Sequence, residues 1–366
     1  MTATQSFTRR QSPNPVPAGR VGEILADPRF GKHGTDHMVT IEFTRERGWH
    51  NATVGPHEPL RLSPCASALH YGQAIFEGLK VYRQPDGSVA CFRPDLNARR
   101  FRASAHRLAM PELPEELFLA SLGELVECDR RWVPEGSGKS LYLRPLMIGT
   151  STDLVVGPAT EYLYVLVGMP AGAYFTGDSG PLTVWLSWEY VRAAPGGTGA
   201  AKCAGNYAGA LAAQASATEA GCDQVVWLDA VERRWVEEMG AMNLFFVFGS
   251  GAGARVVTPK LNGSLLPGVT RDSLLRLAGH LGYRVEERPV SVTEWETAAV
   301  SGALTEVFAC GTAAVITAVG AVRHADGGFA VNGNRQGPVT TRLHELLTGI
   351  QQGTEPDPFG WMYRLG

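Results

Sequence analysis

Hydrophobic residues recur at strand-like spacing in both halves of the chain. Residues 37–43 alternate between apolar and polar side chains, as in a strand with one buried face. Residues 79–82 and 89–92 flank Pro85-Asp86-Gly87, which predicts a hairpin. Further strands are predicted at 140–149, 161–167, 182–186, 224–229, 244–248, 255–257 and 306–314, the last running into a turn of small residues.

Helical patterns separate these strands. One helix begins near Asp95, and a second runs from Pro114 to about Trp132 with paired acids after its proline, as helix starts favour. Further helices are predicted at 206–221, 274–282 and 339–351. Helices and strands in both halves predict an α/β (α+β) fold.

Length and loop composition divide the chain into two domains. The 366 residues suggest two domains at about 100–200 residues each. Residues 1–29 are predicted to be a flexible N-terminal tail, since they are rich in polar residues and proline and lack the apolar core of a signal peptide. Residues 30–170 then form a small α/β domain, the Gly- and Pro-rich segment 171–181 is the interdomain linker, and 182–366 form a large α/β domain.

Composition excludes several classes of partner. A hydrophobic content of 44% and a charged content of 19% are typical of a soluble globular protein. A net charge of −3 and dispersed arginines argue against nucleic acid, and the most apolar stretch, 307–322, is too short to span a membrane. The six cysteines lack Cys-x-x-Cys spacing, which predicts reduced thiols and a cytoplasmic location.

Lys202 is the most unusual chemical feature. It is one of only five lysines, and it lies in a run of small residues, 196–207. A primary amine condenses with an aldehyde, which a guanidinium does not do, and small neighbours leave room for a flat cofactor. The alternative interpretation is an exposed lysine on a glycine-rich surface loop.

Other polar residues suggest binding sites for anions. Tyr142 and Arg144 are two residues apart on one strand and therefore share a face, which suits carboxylate recognition unless this strand lies at an exposed edge. Three arginines fall within residues 99–102; at least one is expected on a solvated helix face and another on a phosphate. A glycine-containing turn before the helix at 274, and the turn after the strand at 306, both offer backbone N–H groups to an anion.

Two tempting motifs carry less weight. Gly249–Gly253 departs from G-x-G-x-x-G and is followed by a strand, so a hairpin turn is predicted there rather than a dinucleotide site. His33, Asp36 and His37 have no further ligand cluster nearby, so no metal site is predicted.

Six segments together resemble the branched-chain amino acid aminotransferases, pyridoxal phosphate enzymes of fold type IV. The resemblance extends from about Phe30 to the C-terminus. It implies a two-domain fold type IV architecture with the cofactor, pyridoxal 5'-phosphate, at the domain interface. The segments are Tyr71–Arg83, Tyr142–Arg144, Lys202–Tyr207, Glu238–Asn243, Leu266–Arg271 and Gly311–Ala313.

The resemblance implies a set of cofactor-binding residues. Lys202 corresponds to the catalytic lysine that forms a Schiff base with the cofactor, and Arg100 to the arginine that binds its phosphate. The remaining expected contacts are Tyr207 to the ring oxygen, Glu238 to the pyridine nitrogen, Leu266 to the ring face, and Val269, Thr270 and Thr312 to the phosphate.

The resemblance also implies a substrate site. Tyr142 and the N–H groups of Thr312 and Ala313 would hold the α-carboxylate, and Arg144 the side-chain carboxylate of glutamate. The remaining residues assigned to substrate are Phe30, Phe76, Tyr174, Tyr207 and Ala241, with Tyr71 reaching in from the partner subunit of a homodimer. Family members often carry threonine where Ala241 stands, so one polar contact is expected to be missing, and Ala314–Thr317 lack the paired cysteines of some relatives.

The implied activity is the reversible transfer of the amino group between L-leucine, L-isoleucine or L-valine and 2-oxoglutarate, through a Schiff base on Lys202. Three alternatives stay open: a D-amino acid aminotransferase, an aminodeoxychorismate lyase of the same fold, and an inactive homologue that binds a metabolite. The sequence does not rank the three branched-chain substrates, and it does not separate synthesis from breakdown or define assembly beyond a dimer.

Overall fold

The structure is a computed structural model that describes residues 6–172, 174 and 180–366. The chain divides into two compact units. Unit 1 comprises Met1–Tyr174, Ala201–Gly205 and Gly349–Gly366, and unit 2 comprises Phe175–Ala200 and Asn206–Thr348. None of the described helices is both long and apolar enough to span a bilayer.

The described helices are α1 (Ala18–Ala26), α2 (Ser67–Tyr71), α3 (Pro94–Arg107), α4 (Glu115–Cys128), α5 (Ala204–Ala208), α6 (Leu211–Glu219), α7 (Val269–His280), α8 (Val292–Ser301) and α9 (Pro338–Gln352). The described strands are β1 (Thr8–Arg9), β2 (His37–Thr44), β3 (Gly48–Pro56), β4 (Ala74–Phe76), β5 (Leu79–Arg83), β6 (Val89–Phe92), β7 (Ser140–Gly149), β8 (Glu161–Ala171), β9 (Leu182–Ser187), β10 (Gln224–Leu228), β11 (Val236–Met239), β12 (Met242–Phe248), β13 (Arg255–Thr258), β14 (Arg284–Glu287), β15 (Leu304–Gly311), β16 (Val315–His324), β17 (Gly327–Ala330) and β18 (Met362–Arg364).

Unit 1 is a largely antiparallel sheet with helices packed on it. Its strand order is β1-β3-β2-β8-β7-β5-β6-β18, and β4 pairs with β7 beside this path. The helices α3 and α4 pack on each other, and α4 lies on β2 and β8. Apolar side chains between these layers, among them Phe101, Phe118, Trp132 and Tyr164, form its buried core.

Unit 2 is built on a mixed sheet in the order β11-β10-β9-β16-β15-β12-β13-β14, with β17 paired to β16. An additional pairing of β11 with β12 closes part of this sheet into a ring of strands. Helices α7 and α8 pack on β15, and α6 on β9 and β10. Its core includes Trp295 and the fully buried β12.

Most predicted elements are confirmed, and the α/β class with them. The strand at 140–149 matches β7 residue for residue, and the hairpin at Gly249–Gly253 joins antiparallel β12 and β13. The helix predicted at 206–221 is instead divided into α5 and α6. Helix α7 begins at Val269 rather than at 274, because Gly268 serves as its N-cap residue.

The N-terminal segment differs from the expected flexible tail. Helix α1 buries Val21 and Ile24, and β1 pairs in parallel with β3. The apolar residues of α1 gain burial on the unit 1 core, which a tail would forgo. The domain boundaries also differ, since Ala201–Gly205 and Gly349–Gly366 group with unit 1. Within the expected linker 171–181, residues 173 and 175–179 lie outside the described residues.

Candidate functional site

The backbone of Lys202 is held by β4 and α3 of unit 1. Its carbonyl accepts the N–H of Phe76 at 3.0 Å, and its own N–H donates to the hydroxyl of Ser104 at 2.9 Å. The next residue, Cys203, forms an isolated antiparallel β-bridge with Ile75 through the backbone. The glycine-rich run therefore ends in a fixed position at Lys202, which contradicts the interpretation as an exposed loop lysine.

The amine of Lys202 lies in a buried, charged environment. Burial, reinforced by the positive charge of Arg100, lowers the pKa of Lys202 from its ordinary 10.5 to about 8. The carboxylate of Glu77 acts in the opposite direction. The Nζ atom also lies 5.0 Å from the ring centroid of Phe76. A larger fraction of this amine is thus neutral, and nucleophilic, near pH 8 than for an ordinary lysine.

Arg100 is the buried member of the arginine group on α3. Its Nε and Nη2 atoms donate to the two carboxylate oxygens of Glu77 at 2.6 and 2.8 Å. The side chains of Arg99 and Arg102 are 62% and 42% exposed. Burial alone would raise the pKa of Glu77, but the charge and hydrogen bonds of Arg100 outweigh burial and hold the pKa below its ordinary value.

Aromatic side chains predicted to line the substrate pocket come together in unit 1. The Phe30 ring lies 4.8 Å from that of Tyr142 and 5.2 Å from that of Tyr174, both edge to face. Arg144 donates to the Tyr142 hydroxyl at 2.9 Å, which confirms that these two residues share a face of β7. The Arg144 guanidinium also lies 4.8 Å from the Phe76 centroid. Tyr142 and Phe76 thus contact Arg144 directly. Phe30 contacts Tyr142 and Tyr174.

Arg144 and Tyr142 have hydrogen-bonding capacity directed at a ligand. Within the described part of the chain, no atom accepts a hydrogen bond from the buried Nε of Arg144. Because the Tyr142 hydroxyl accepts from Arg144, its own proton is available to donate. Gly78 is needed beside them, since a β-carbon there would collide with the Tyr142 hydroxyl. This group can bind a carboxylate.

Glu238 is held at both carboxylate oxygens within unit 2. Oε1 accepts the backbone N–H of Leu266, and Oε2 lies 3.3 Å from the Nε atom of Arg192. The neighbouring Glu237 points to the opposite face of β11 and accepts from Asn262 at 3.2 Å. Both acids are buried, because both faces of this strand are covered. Burial raises the pKa of Glu237.

Two backbone turns of unit 2 are of the kinds that can present N–H groups to an anion. Helix α7 begins at Val269 and Thr270 after Gly268, whose lack of a side chain leaves the first turn without a side-chain cap. Thr312 and Ala313 lie in the turn between β15 and β16. The next strand starts at Val315 with φ +60°, a strained value for a β-branched residue. Strain of this kind is common where a turn must present its backbone to a ligand.

Known proteins resemble this chain over most of its length. Residues 74–322 match the model of the family described as amino-transferase class IV. The chain is 59% identical to the branched-chain-amino-acid aminotransferase of Mycolicibacterium smegmatis and 57% identical to that of Mycobacterium tuberculosis, each over 98% of both chains. This chain belongs to the branched-chain amino acid aminotransferases of class IV. It is therefore a transaminase that depends on pyridoxal phosphate.

Solved aminotransferases share the fold. The branched-chain amino acid aminotransferase of Escherichia coli superposes with a TM-score of 0.75 at 27% identity, covering 90% of this chain and 99% of that one. The enzyme of Thermobaculum terrenum, determined in its PLP form, gives a TM-score of 0.72 at 23% identity, covering 92% of this chain and 100% of that one. These likenesses confirm the fold type IV assignment.

The donors present in this aminotransferase fit pyridoxal phosphate. Lys202 offers an amine with a lowered pKa to the aldehyde. In unit 1, Arg100 is a cation suited to a phosphate. In unit 2, the uncapped start of α7 is a backbone site of the kind that binds anions. Glu238 is a buried carboxylate of the kind that pairs with a pyridine nitrogen.

Three expected site residues have less distinctive surroundings. Tyr71 ends α2 with its ring 6.1 Å from that of His70. Tyr207 lies on α5, partly buried. Ala241 is exposed in the two-residue turn after Met239, between β11 and β12. Their roles at the substrate remain predictions.

Two charged residues lie beside predicted site residues without having been predicted themselves. Glu77 falls within the segment Tyr71–Arg83, for which the sequence implied no role of this carboxylate, and Arg192 lies outside all six segments. Each acts through a residue far away in sequence, at separations of 23 positions to Arg100 and 46 to Glu238. Neither separation has a local period. The available signals in the sequence were an acid within an apolar, aromatic segment and an arginine just before the glycine-rich run 196–207.

Proposed function

We propose that this enzyme transfers the amino group reversibly between L-leucine, L-isoleucine or L-valine and 2-oxoglutarate, with Lys202 as the reactive amine. The single observation that carries the proposal is the geometry of unit 1. There Lys202, with a pKa of about 8, and Arg144 both lie near the Phe76 ring, and Arg144 donates a hydrogen bond to the Tyr142 hydroxyl. Family membership supports the substrate class.

We assign the cofactor-binding roles separately in each unit. In unit 1, Lys202 would bond to the cofactor aldehyde and Arg100 would bind the phosphate. In unit 2, Glu238 would pair with the pyridine nitrogen and Tyr207 with the ring oxygen. The phosphate and ring-face contacts would come from Leu266, Val269, Thr270 and Thr312. When bound, pyridoxal phosphate supplies an electron sink for charge that develops on the substrate α-carbon.

Arg192 supports the proposed role of Glu238. A guanidinium 3.3 Å from the carboxylate forms an ion pair with it. A carboxylate at this position would pair with a protonated pyridine nitrogen. The backbone N–H of Leu266 fixes the same carboxylate in direction.

The substrate roles follow from hydrogen-bonding capacity. Tyr142 would donate its free proton to the α-carboxylate, together with the N–H groups of Thr312 and Ala313. Phe30, Phe76 and Tyr174 supply apolar surface, and burying a leucine, isoleucine or valine side chain is worth about 1.5–3 kcal/mol. The Nε of Arg144 would receive the side-chain carboxylate of glutamate. One pocket thereby accepts both substrate types.

Lys202 is also the proposed proton carrier. Because its pKa is about 8, both the neutral and the protonated amine are populated at physiological pH. When substrate occupies the site, the free amine would take a proton from the substrate α-carbon, hold it at Nζ and later release it. An ordinary lysine amine would be almost fully protonated and a poor base at the same pH.

The enzyme is proposed to act as a homodimer in the cytoplasm. An exposed apolar patch on unit 1 supports the dimer: Leu69, Leu154, Val155 and Val156 are 57–83% exposed. Gln73 ties the two segments that carry this patch, because it bonds to Gly157 and to the N–H of Ala159. Tyr71, expected to reach the partner's substrate, lies in the same region. All six cysteines are free thiols, which agrees with a reducing compartment.

Product analysis of a lysine variant tests the proposal. Purified wild type with pyridoxal phosphate should form glutamate from L-leucine and 2-oxoglutarate, and D-leucine should yield none. Lys202→Ala should lose at least 1000-fold in kcat, while Lys260→Ala, an exposed lysine of unit 2, should match wild type. Undiminished turnover by Lys202→Ala would refute the assignment of the amine, and turnover of D-leucine alone would indicate the D-amino acid alternative.

A further inference from the structure

Glu77 is a fully buried carboxylate with four hydrogen-bond donors around it. Oε1 accepts from Nε of Arg100 at 2.6 Å. Oε2 accepts from Nη2 of Arg100 at 2.8 Å, from the side-chain amide of Asn97 at 2.7 Å and from the N–H of Gly78 at 3.1 Å. Its exposed fraction is 0%. A buried charge is tolerated only when it is paired and hydrogen-bonded this fully.

The partners of Glu77 are presented by one helix. Asn97 and Arg100 are three residues apart on α3, so they share the helix face that meets Glu77. The two parallel hydrogen bonds use the Nε–Nη2 edge of the guanidinium, which leaves the Nη1 edge directed away from the carboxylate. Glu77 thus determines which way Arg100 faces.

The same carboxylate belongs to the surroundings of the Lys202 amine. Phe76 precedes Glu77 in sequence. Its backbone N–H donates a hydrogen bond to the Lys202 carbonyl, and its ring centroid lies 5.0 Å from Nζ of Lys202. Ser104 of α3 bonds to the Lys202 N–H at 2.9 Å. The side chains whose charges act on the amine are Glu77, Arg100, Tyr142 and Arg144. Of these, Glu77 is a carboxylate that opposes two guanidinium groups.

We propose that Glu77 is a positioning residue of this site: its carboxylate fixes the direction of the Arg100 guanidinium and balances that positive charge beside the Lys202 amine. This inference rests on the proposed roles of Lys202 and Arg100. It adds a residue whose two effects are separable, since one depends on side-chain length and the other on charge.

Two variants separate these effects. Glu77→Asp keeps the charge but is one methylene shorter, so it loses the two-point contact with Arg100. Glu77→Gln keeps the length but removes the charge, and it places an amide donor against donors. With the negative charge gone, no carboxylate opposes Arg100 and Arg144 at the amine, so Lys202 loses its proton at a lower pH. Glu112→Gln is the matched control, because it removes an exposed carboxylate that forms a salt bridge with Arg102, an arginine of α3 like Arg100.

The experiment loads the apo forms of all four proteins with pyridoxal phosphate or with pyridoxal, which lacks the phosphate. The ratio of the two Kd values reports the Arg100–phosphate contact. The pH midpoint of the rate at which pyridoxal acquires a visible absorption band reports the Lys202 amine, free of any contribution from phosphate ionisation. Circular dichroism checks that each variant is folded.

Wild type and Glu112→Gln should favour pyridoxal phosphate strongly, with a midpoint near pH 8. Glu77→Asp should lose at least 10-fold of that preference and keep the midpoint. Glu77→Gln should lose preference and shift the midpoint down by at least half a pH unit. Wild-type values in both Glu77 variants would overturn the inference; if Glu77→Gln does not fold, an unchanged preference in Glu77→Asp overturns it alone. Failure of wild type to form the band would instead refute the proposed function.

Discussion

At the scale of single residues, Phe76 brings two cationic side chains of unit 1 to one aromatic ring. The Lys202 amine lies 5.0 Å and the Arg144 guanidinium 4.8 Å from its centroid. A cation over an aromatic face gains about 0.5–1 kcal/mol, and more when desolvated. The ring therefore offsets part of the repulsion between these charges, and burial leaves Lys202 with a pKa of about 8.

Arg144→Ala should separate the two substrate types. Loss of a charge-assisted hydrogen bond worth about 1.5–3 kcal/mol lowers kcat/KM for 2-oxoglutarate or glutamate about 10- to 100-fold. For leucine the loss should stay within about 3-fold, because leucine has no side-chain carboxylate. Tyr142→Phe serves as the control, since it should affect both substrates alike through the α-carboxylate. Equal losses for both substrates in Arg144→Ala would contradict the assignment of Arg144.

At the scale of secondary-structure elements, local sequence patterns correctly predicted features that are set by residues close together in the chain. The two-residue spacing of Tyr142 and Arg144 on β7 correctly predicted that they share one face, where Arg144 donates a hydrogen bond to the Tyr142 hydroxyl. The start of α7 was missed, because it depends on Gly268 fitting against the side chain of Asn243, which no local pattern reveals. Glu77 and Arg192 were missed for the same reason, since their partners come from distant elements. Helix α1 was missed because its apolar face is short and follows a proline-rich segment.

Helix α9 shows how one element depends on another. Glu306 of β15 is buried and accepts hydrogen bonds from the N–H groups of Val339 and Thr340 at 2.9 and 2.7 Å, and from the Thr340 hydroxyl at 2.7 Å. It therefore caps the N-terminus of α9 with a full negative charge, where the helix dipole favours an anion.

Glu306→Gln should lower the free energy of unfolding by about 1–3 kcal/mol, because it removes that charge and leaves a buried N–H without an acceptor. Urea unfolding followed by circular dichroism measures the change. Glu296→Gln, an exposed glutamate on α8, should lie within about 0.5 kcal/mol of wild type. A Glu306→Gln protein as stable as this control would show that the cap contributes nothing.

At the scale of the whole molecule, the enzyme is two units, each built on its own sheet and core. The sequence predicted two domains but not that short segments at 201–205 and 349–366 would group with unit 1. Such segments join a domain through pairing with distant strands, as β18 does with β6. The exposed patch around Val156 supports the proposed dimer, because single exposed valines are ordinary whereas clustered ones are typical of interaction surfaces.

Val156→Glu should disrupt the proposed homodimer. Val156 is 83% exposed. A glutamate there would bury a charge at the centre of the proposed interface, which would cost several kcal/mol of association free energy. Sedimentation velocity should show a shift toward monomer, with activity falling in parallel if Tyr71 acts across the interface. Val300→Glu, at a 75% exposed valine of unit 2, is the control and should remain dimeric. A fully dimeric and active Val156→Glu protein would place the interface elsewhere.

The absorption spectrum of the purified enzyme, before and after L-leucine is added without 2-oxoglutarate, shows whether Lys202 holds pyridoxal phosphate and whether L-leucine is an amino donor. We expect a near-visible band that L-leucine shifts to the shorter wavelength of the pyridoxamine form and that 2-oxoglutarate then restores. Lys202→Ala should lack this band in its wild-type form. A wild-type band that L-leucine leaves unmoved, or no band after pyridoxal phosphate is added, would contradict the proposed function.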